Sequence, residues 1–266
     1  MNEYTLVIGT DDNHFAQLCL VWPTWIKHKP NLLKQPLVIF YDRDSTLSVS
    51  QIQRAIKHPQ LRIVEWPDDA SIRYVGDPHS KWYHPQRYKM LAGFVHVPAR
   101  MVSTPYWLKL DTDVVATGVP DWIDTHWFDS VPSIVAHRWF MTKPPNQMDL
   151  LDKWVDDNRQ EMLVLSTNPP LNLHPEEGAD KIQHKRIISW CGFFNTVMTR
   201  YASKLAEQTC GPGQLPVPSQ DGYLWYIASR MKTPIVRTNM KSLGWEWWST
   251  MGNVRQAVDR SLSNGK

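Results

Sequence analysis

The chain reads as a single α/β domain, Rossmann-like, with a mostly parallel central sheet flanked by helices. Short apolar and β-branched runs alternate with helical patterns, the order that builds strand–helix–strand units. The run at 106–110 ends in two carboxylates one residue apart, a polar stop of the kind found where strands of an open α/β sheet meet a ligand. At 266 residues the chain can also bury a sizeable core.

Residues 4–9 form a buried first strand that ends in Thr10-Asp11-Asp12-Asn13-His14. A helix follows over 15–27, with Pro23 kinking it or starting a fresh turn. Residues 36–41 are a second strand, 49–57 a helix and 61–66 a third strand. Pro85 opens a helix that runs to His96 and is stopped by Pro98. Pro105 marks the start of the strand 106–110, and 133–137 is a further strand ended by His137-Arg138-Trp139. Helical periodicity returns at 148–159, and 168–178 is loop chemistry inside a loose stretch near 143–186. A strand is expected over 191–198, helix over 201–208 and a turn at Gly211-Pro212-Gly213. Ser219 is a natural N-cap for a helix over 223–231. Residues 234–238 are a last strand, and Gly244-Trp245-Glu246-Trp247-Trp248 is an aromatic patch before a C-terminal tail.

Composition narrows the function classes. A hydrophobic fraction of 42% and a charged fraction of 21% are those of an ordinary globular protein, and no apolar run approaches a membrane span. The net charge of +3 does not by itself call for nucleic acid. Basic residues gather at 181–186 and 230–241, where a solvated surface is the plainer reading and an anionic acceptor the sharper one. Cys19, Cys191 and Cys210 fit no zinc spacing, and reduced thiols in a cytoplasm account for them. The 14 tryptophans serve either as core or as stacking faces for sugars.

Side chains alternate along an extended chain, so Asp111 and Asp113 point to one side over the strand's carboxyl end. Two neighbouring carboxylates repel, and a hard divalent cation relieves that repulsion. Oxygen ligation suits Mg²⁺ or Mn²⁺, which can bridge a diphosphate. A solvated turn is the alternative, and it applies equally to a second such triplet, Asp42-Arg43-Asp44. Asp11, Asp12 and Asn13 either accept hydrogen bonds from a base or ribose or cap the next helix. Arg87 and Lys89 are either solvated helix charges or cations for a phosphate.

Four segments, in this order, resemble the GT-A glycosyltransferases, and most closely glycosyltransferase family 8, which includes lipopolysaccharide galactosyltransferases and glycogenin. Thr10-Asp11-Asp12-Asn13-His14-Phe15 resembles the segment that holds the nucleotide, and 108–115 the D-x-D strand. Phe193-Phe194-Asn195-Thr196-Val197-Met198 is similar to the segment lining the donor sugar, and Ser219-Gln220-Asp221 to the D-Q-D segment of the reaction centre. Ser219 departs from the family's aspartate, the family's glycine after the asparagine segment is missing, and no histidine follows His184 to complete the metal site.

The resemblance implies a GT-A-like domain over 1–266, with a nucleotide-binding half at about 1–120. The other half, about 121–266, would bind donor sugar and acceptor and carry the insertion near 143–186. It implies a glycosyltransferase that uses Mn²⁺ or Mg²⁺ and a nucleotide-sugar donor, a UDP-sugar, with retention favoured over inversion. Asp111 and Asp113 would hold the metal, completed by water and phosphate or by Glu246 or His137. Thr10, Asp11, Asp12, Asn13, Arg87, Lys89, Asp111, Thr112 and Asn195 would contact the donor, with Gln220 and Asp221 at the reacting sugar. The acceptor would be a carbohydrate or another hydroxyl-bearing molecule, with modified nucleic acid as a variant. A catalytically silent carbohydrate-binding protein of the same fold is the rival.

Overall fold

A computed structural model describes residues 4–67, 85–141, 146–161, 185–217, 219–231 and 234–263. Nine strands and seven helices can be followed among them. The strands are β1 (Tyr4–Thr10), β2 (Leu37–Asp42), β3 (Leu61–Trp66), β4 (Tyr106–Leu110), β5 (Val114–Ala116), β6 (Ile134–Met141), β7 (Lys185–Asn195), β8 (Ile235–Thr238) and β9 (Trp245–Trp247). The helices are α1 (Asp12–His28), α2 (Val49–Ala55), α3 (Pro85–Met101), α4 (Asn146–Asp157), α5 (Thr196–Cys210), α6 (Gln220–Arg230) and α7 (Met251–Ser263).

Seven strands form one sheet in the order β3-β2-β1-β4-β7-β6-β8. Strand β1 runs parallel to β2 and β4, β2 parallel to β3, and β6 parallel to β8, while β7 is antiparallel to both β4 and β6. The chain steps from β1 to β2 on one side and later to β4 on the other. The carboxyl ends of β1 and β4 therefore flank the crevice where α/β sheets bind ligands.

Strands β1, β2 and β4 are buried along their whole length, which requires apolar cover on both faces. One face carries Trp107, Phe94, Tyr223 and Trp225 under α3, α5 and α6. The other carries Leu108, Leu110, Trp25, Trp122, Phe193 and Trp245 under α1 and α7. Most of the tryptophan is therefore core. Trp25 also donates its indole N–H to the Val114 carbonyl at 2.6 Å, tying α1 to β5.

Four expectations change in the structure. The helix expected to stop at Pro98 runs on to Met101, because Arg200 donates to the end carbonyls of Ala99 and Val102. The strand expected over 191–198 ends at Asn195, whose side chain accepts from the Val197 and Met198 N–H groups and starts α5. The expected tail contains α7, which lays Val254, Ala257, Val258 and Ser261 against α1 and β5 at helical spacing. The patch at 244–248 is strand β9, paired antiparallel with β5. The loop at 168–178 lies outside the described residues.

Candidate active site

The register of the central strands determines what reaches the crevice. Val7 pairs with Lys109, so three residues further on Thr10 lies level with Thr112. The first turn of α1 therefore stands beside Asp111 and Asp113. Thr112 secures this arrangement by donating its hydroxyl to Gln17 Oε1, one turn along α1, at 3.1 Å. The Asp111 N–H donates to the Trp190 carbonyl of β7 at 2.9 Å, and the Asp111 carbonyl accepts from Val114 N–H, closing a tight turn before β5.

The two carboxylates differ in their surroundings. Asp111 is about a third exposed and accepts from the ammonium of Lys109 at 2.5 Å. Asp113 has one oxygen, Oδ1, buried with no hydrogen-bond partner. Its carboxyl is pushed up to about 7, first by burial and then by the charge of Asp111. An orphaned carboxylate oxygen beside a second acid is a position that a hard divalent cation would satisfy. The pair fits such an ion, with phosphate and water left to fill the other positions. Among the described residues no third His, Cys, Asp or Glu joins them in a metal-holding group. Glu246 lies opposite Val115 in the β5–β9 pair, and His137 Nδ1 accepts from the Met240 N–H at 3.1 Å in a buried position.

On the first turn of α1, Asp11 accepts from the backbone and the ring Nδ1 of His14, at 2.8 and 2.7 Å. Partial burial would raise the Asp11 carboxyl, but these bonds outweigh it and hold it below its usual range. His14 is raised in turn, chiefly by Asp11 and further by Asp111 and Asp113. Asp12 faces the other way and accepts from the backbone and hydroxyl of Thr46 in the β2–α2 loop. Asn13 is exposed and Thr10 is buried. The helix cap and the ligand edge are thus the same place, with Asp11 in the cap.

Helix α6 brings the reaction-centre candidates. Ser219 caps it by accepting from Gly222 N–H, and Gln220 donates to Asp221 Oδ1 at 2.6 Å. The charge of Asp221 acts on Lys109, which places it on the Asp111 side of β4.

Three candidates stand elsewhere or are engaged. Lys89 is ion-paired with Asp44, and Asp42 accepts from the Asp44 N–H, so the second acidic triplet is a turn with its own counter-ion. Arg87 is exposed on the first turn of α3. Asn195 pairs with Tyr106 at the amino end of β4, whereas Cys191 pairs with Leu110. Because β7 runs against β4, its Trp190-Cys191-Gly192 stretch reaches the crevice and Asn195 lies at the opposite edge. Of the basic clusters, Arg230 is bound to Asp152 at 2.7 Å and packs over Tyr226, and 181–184 lie outside the described residues.

Two residues at the site escape motif reasoning. Lys109 is a charge in the middle of a buried strand, a signal visible in Tyr-Trp-Leu-Lys-Leu. Trp247 alone among the described tryptophans is exposed, at 44%, and β-pairing sets it opposite Val114, next to Asp113.

The chain is an α/β protein with a mostly parallel sheet, and its fold is like that of the GT-A glycosyltransferases. No protein-family model matches the chain, and no characterised protein matches it by sequence. Among solved structures it is similar to core-mannan synthase A of Aspergillus fumigatus in its Mn/GDP form, with a TM-score of 0.56 and 12% identity over 85% of this chain and 69% of that one. It is also similar to the mannosyltransferase Ktr4p of S. cerevisiae in complex with GDP, with a TM-score of 0.50 and 8% identity over 92% of this chain and 70% of that one. At such identities the likeness establishes the fold. No helix among the described residues is long and apolar enough to cross a membrane.

Proposed function

We propose that the protein is a metal-dependent glycosyltransferase, moving a sugar from a nucleoside-diphosphate sugar to a hydroxyl-bearing acceptor. The observation that carries this reading is the orphaned Asp113 oxygen beside Asp111 at the carboxyl edge of β4. Asp111 and Asp113 would hold Mn²⁺ or Mg²⁺, leaving positions for oxygens from elsewhere. A bound divalent cation supplies charge compensation for a departing diphosphate.

The chain's own residues bind and orient around that ion. Thr10, Asp11, Asn13 and Thr112 line the nucleotide side, where the amino end of α1 favours an anion, whereas Asp12 is turned to Thr46. Lys89 is committed to Asp44, and Arg87 lies exposed on the first turn of α3 as the remaining cation of that helix end. Asp221 faces the reacting sugar. There it either stabilises positive charge at the anomeric carbon, with retention, or takes the acceptor's proton. Retention is the reading we adopt, from the resemblance to glycosyltransferase family 8. Gln220 donates to Asp221 Oδ1 and so helps to orient that carboxylate. Asn195 has no part in this site. Trp247 gives the acceptor side an exposed indole face suited to stacking on a sugar ring. A cytoplasmic setting suits Cys19, Cys191 and Cys210, none of them in a disulfide.

A UDP-sugar is the donor that the family resemblance favours, and GDP-sugars belong in the same test. UDP- and GDP-sugars are screened with and without Mn²⁺, scoring thermal stabilisation and released diphosphate. Metal-dependent stabilisation with diphosphate release supports the enzyme. Stabilisation by sugars alone, with no diphosphate released from any donor, would leave a carbohydrate-binding protein.

A further inference from the structure

The mechanism above leaves one charged side chain unused. Lys109 is 2% exposed, between Leu108 and Leu110, which are fully buried. Its Nζ donates to Asp111 Oδ1 at 2.5 Å and stands 4.8 Å from the centre of the Phe94 ring. An ammonium in such a place is costly unless it is paired, and an apolar residue would pack there without that cost. Its close pairing with Asp111 and its place over the Phe94 ring are the contacts of an ammonium. Asp111, just past the end of β4, is its direct partner, and the charges of Asp113 in the following turn and of Asp221 on α6 act on it as well.

We propose that Lys109 is a resident counter-cation of the acid cluster: by pairing with Asp111 it keeps free divalent ion weakly held, so that the ion is retained firmly only together with a nucleoside diphosphate. This rests on the cation-and-diphosphate reading of the same site. A divalent ion entering alone meets a like charge already bound to one of its two carboxylate ligands, and no third acidic, His or Cys ligand among the described residues compensates. A diphosphate supplies both the missing oxygens and the negative charge that offsets Lys109. Lys109 is a positioning residue in this account, acting through Asp111 and Asp221.

The test is a Mn²⁺ titration followed by electron paramagnetic resonance of the free ion, with and without UDP or GDP, alongside thermal melting. For the wild type, the nucleotide tightens Mn²⁺ binding about tenfold or more. In Lys109→Met, free Mn²⁺ binds about tenfold more tightly than in the wild type, because a positive charge next to the ligand is gone. Lys109→Arg keeps the wild-type pattern. Should the Met variant not fold, Lys109→Gln retains a donor to Asp111 without the charge and carries the same expectation. A folded neutral variant that binds free Mn²⁺ no better than the wild type overturns the inference. So does a wild type whose Mn²⁺ affinity ignores the nucleotide. If the wild type holds no Mn²⁺ even with either nucleotide, the proposed function falls, and this inference with it.

Discussion

Replacing Asp113 with asparagine should stabilise the metal-free protein while removing its response to metal and nucleotide. Asp113 is held at about 7 by burial and by Asp111, against 3.8 for an ordinary aspartate. The folded state therefore keeps a proton that the unfolded chain has already lost, and stability falls as pH rises from the unfolded value to the folded one. Above both values the penalty is complete and constant. At about 1.4 kcal/mol per pH unit the interval would amount to about 4 kcal/mol, which solvent access and relaxation reduce to about 1–2 kcal/mol. For a chain of this size that is a rise of about 2–4 °C in melting temperature.

The assay is thermal melting in EDTA across the acid-to-neutral range. The advantage of Asp113→Asn should be near zero close to the ordinary aspartate value, grow as pH rises and level off above neutrality. Adding Mn²⁺ with a nucleoside diphosphate should reverse the order, stabilising the wild type and leaving the variant unmoved. A variant that melts below the wild type at alkaline pH in EDTA would refute the reasoning, because Asp113 would then be a structural acid rather than a strained ligand.

Three further expectations follow from single contacts. Asp221→Asn should lower kcat by about a hundredfold or more while donor affinity changes little, as measured by steady-state kinetics and equilibrium titration; equal losses in both would make Asp221 a binding residue. Trp247→Ala should raise the acceptor KM several-fold and cost about 1–2 kcal/mol of stability, since more than half of the residue is covered; an unchanged KM for every acceptor tried removes it from the site. Gly9→Ala should destabilise by about 1–3 kcal/mol in chemical denaturation, because a Cβ there would lie 2.5 Å from the Phe40 ring; Phe40→Leu should recover part of the loss.

Much of the sheet around β1, β2 and β4 was legible because these strands are buried, strand-length apolar runs and β1 and β4 end in polar residues. The acid pair was legible for the same reason. Strand direction was not: nothing in residues 185–195 says that β7 runs against its neighbours. A motif match at Asn195 therefore pointed to the wrong edge of the sheet. Pro98 read as a stop because the long-range support from Arg200 lies about a hundred positions away in the chain. Helix α7 was legible in principle, its buried stripe Val254, Ala257, Val258 and Ser261 being spaced at helical intervals, but its exposed face is polar and its apolar stripe short. Lys109 was equally visible, and only the fold shows that its partners are the acids of the site.

The most direct test of the cation site is diffraction from crystals grown with Mn²⁺ and a nucleoside diphosphate, recorded at a wavelength where manganese scatters anomalously. A peak bound by Asp111 and Asp113 is expected, with diphosphate oxygens on its far side and the nucleoside along the first turn of α1. A nucleotide seated there without manganese, or manganese bound to other residues, would contradict it.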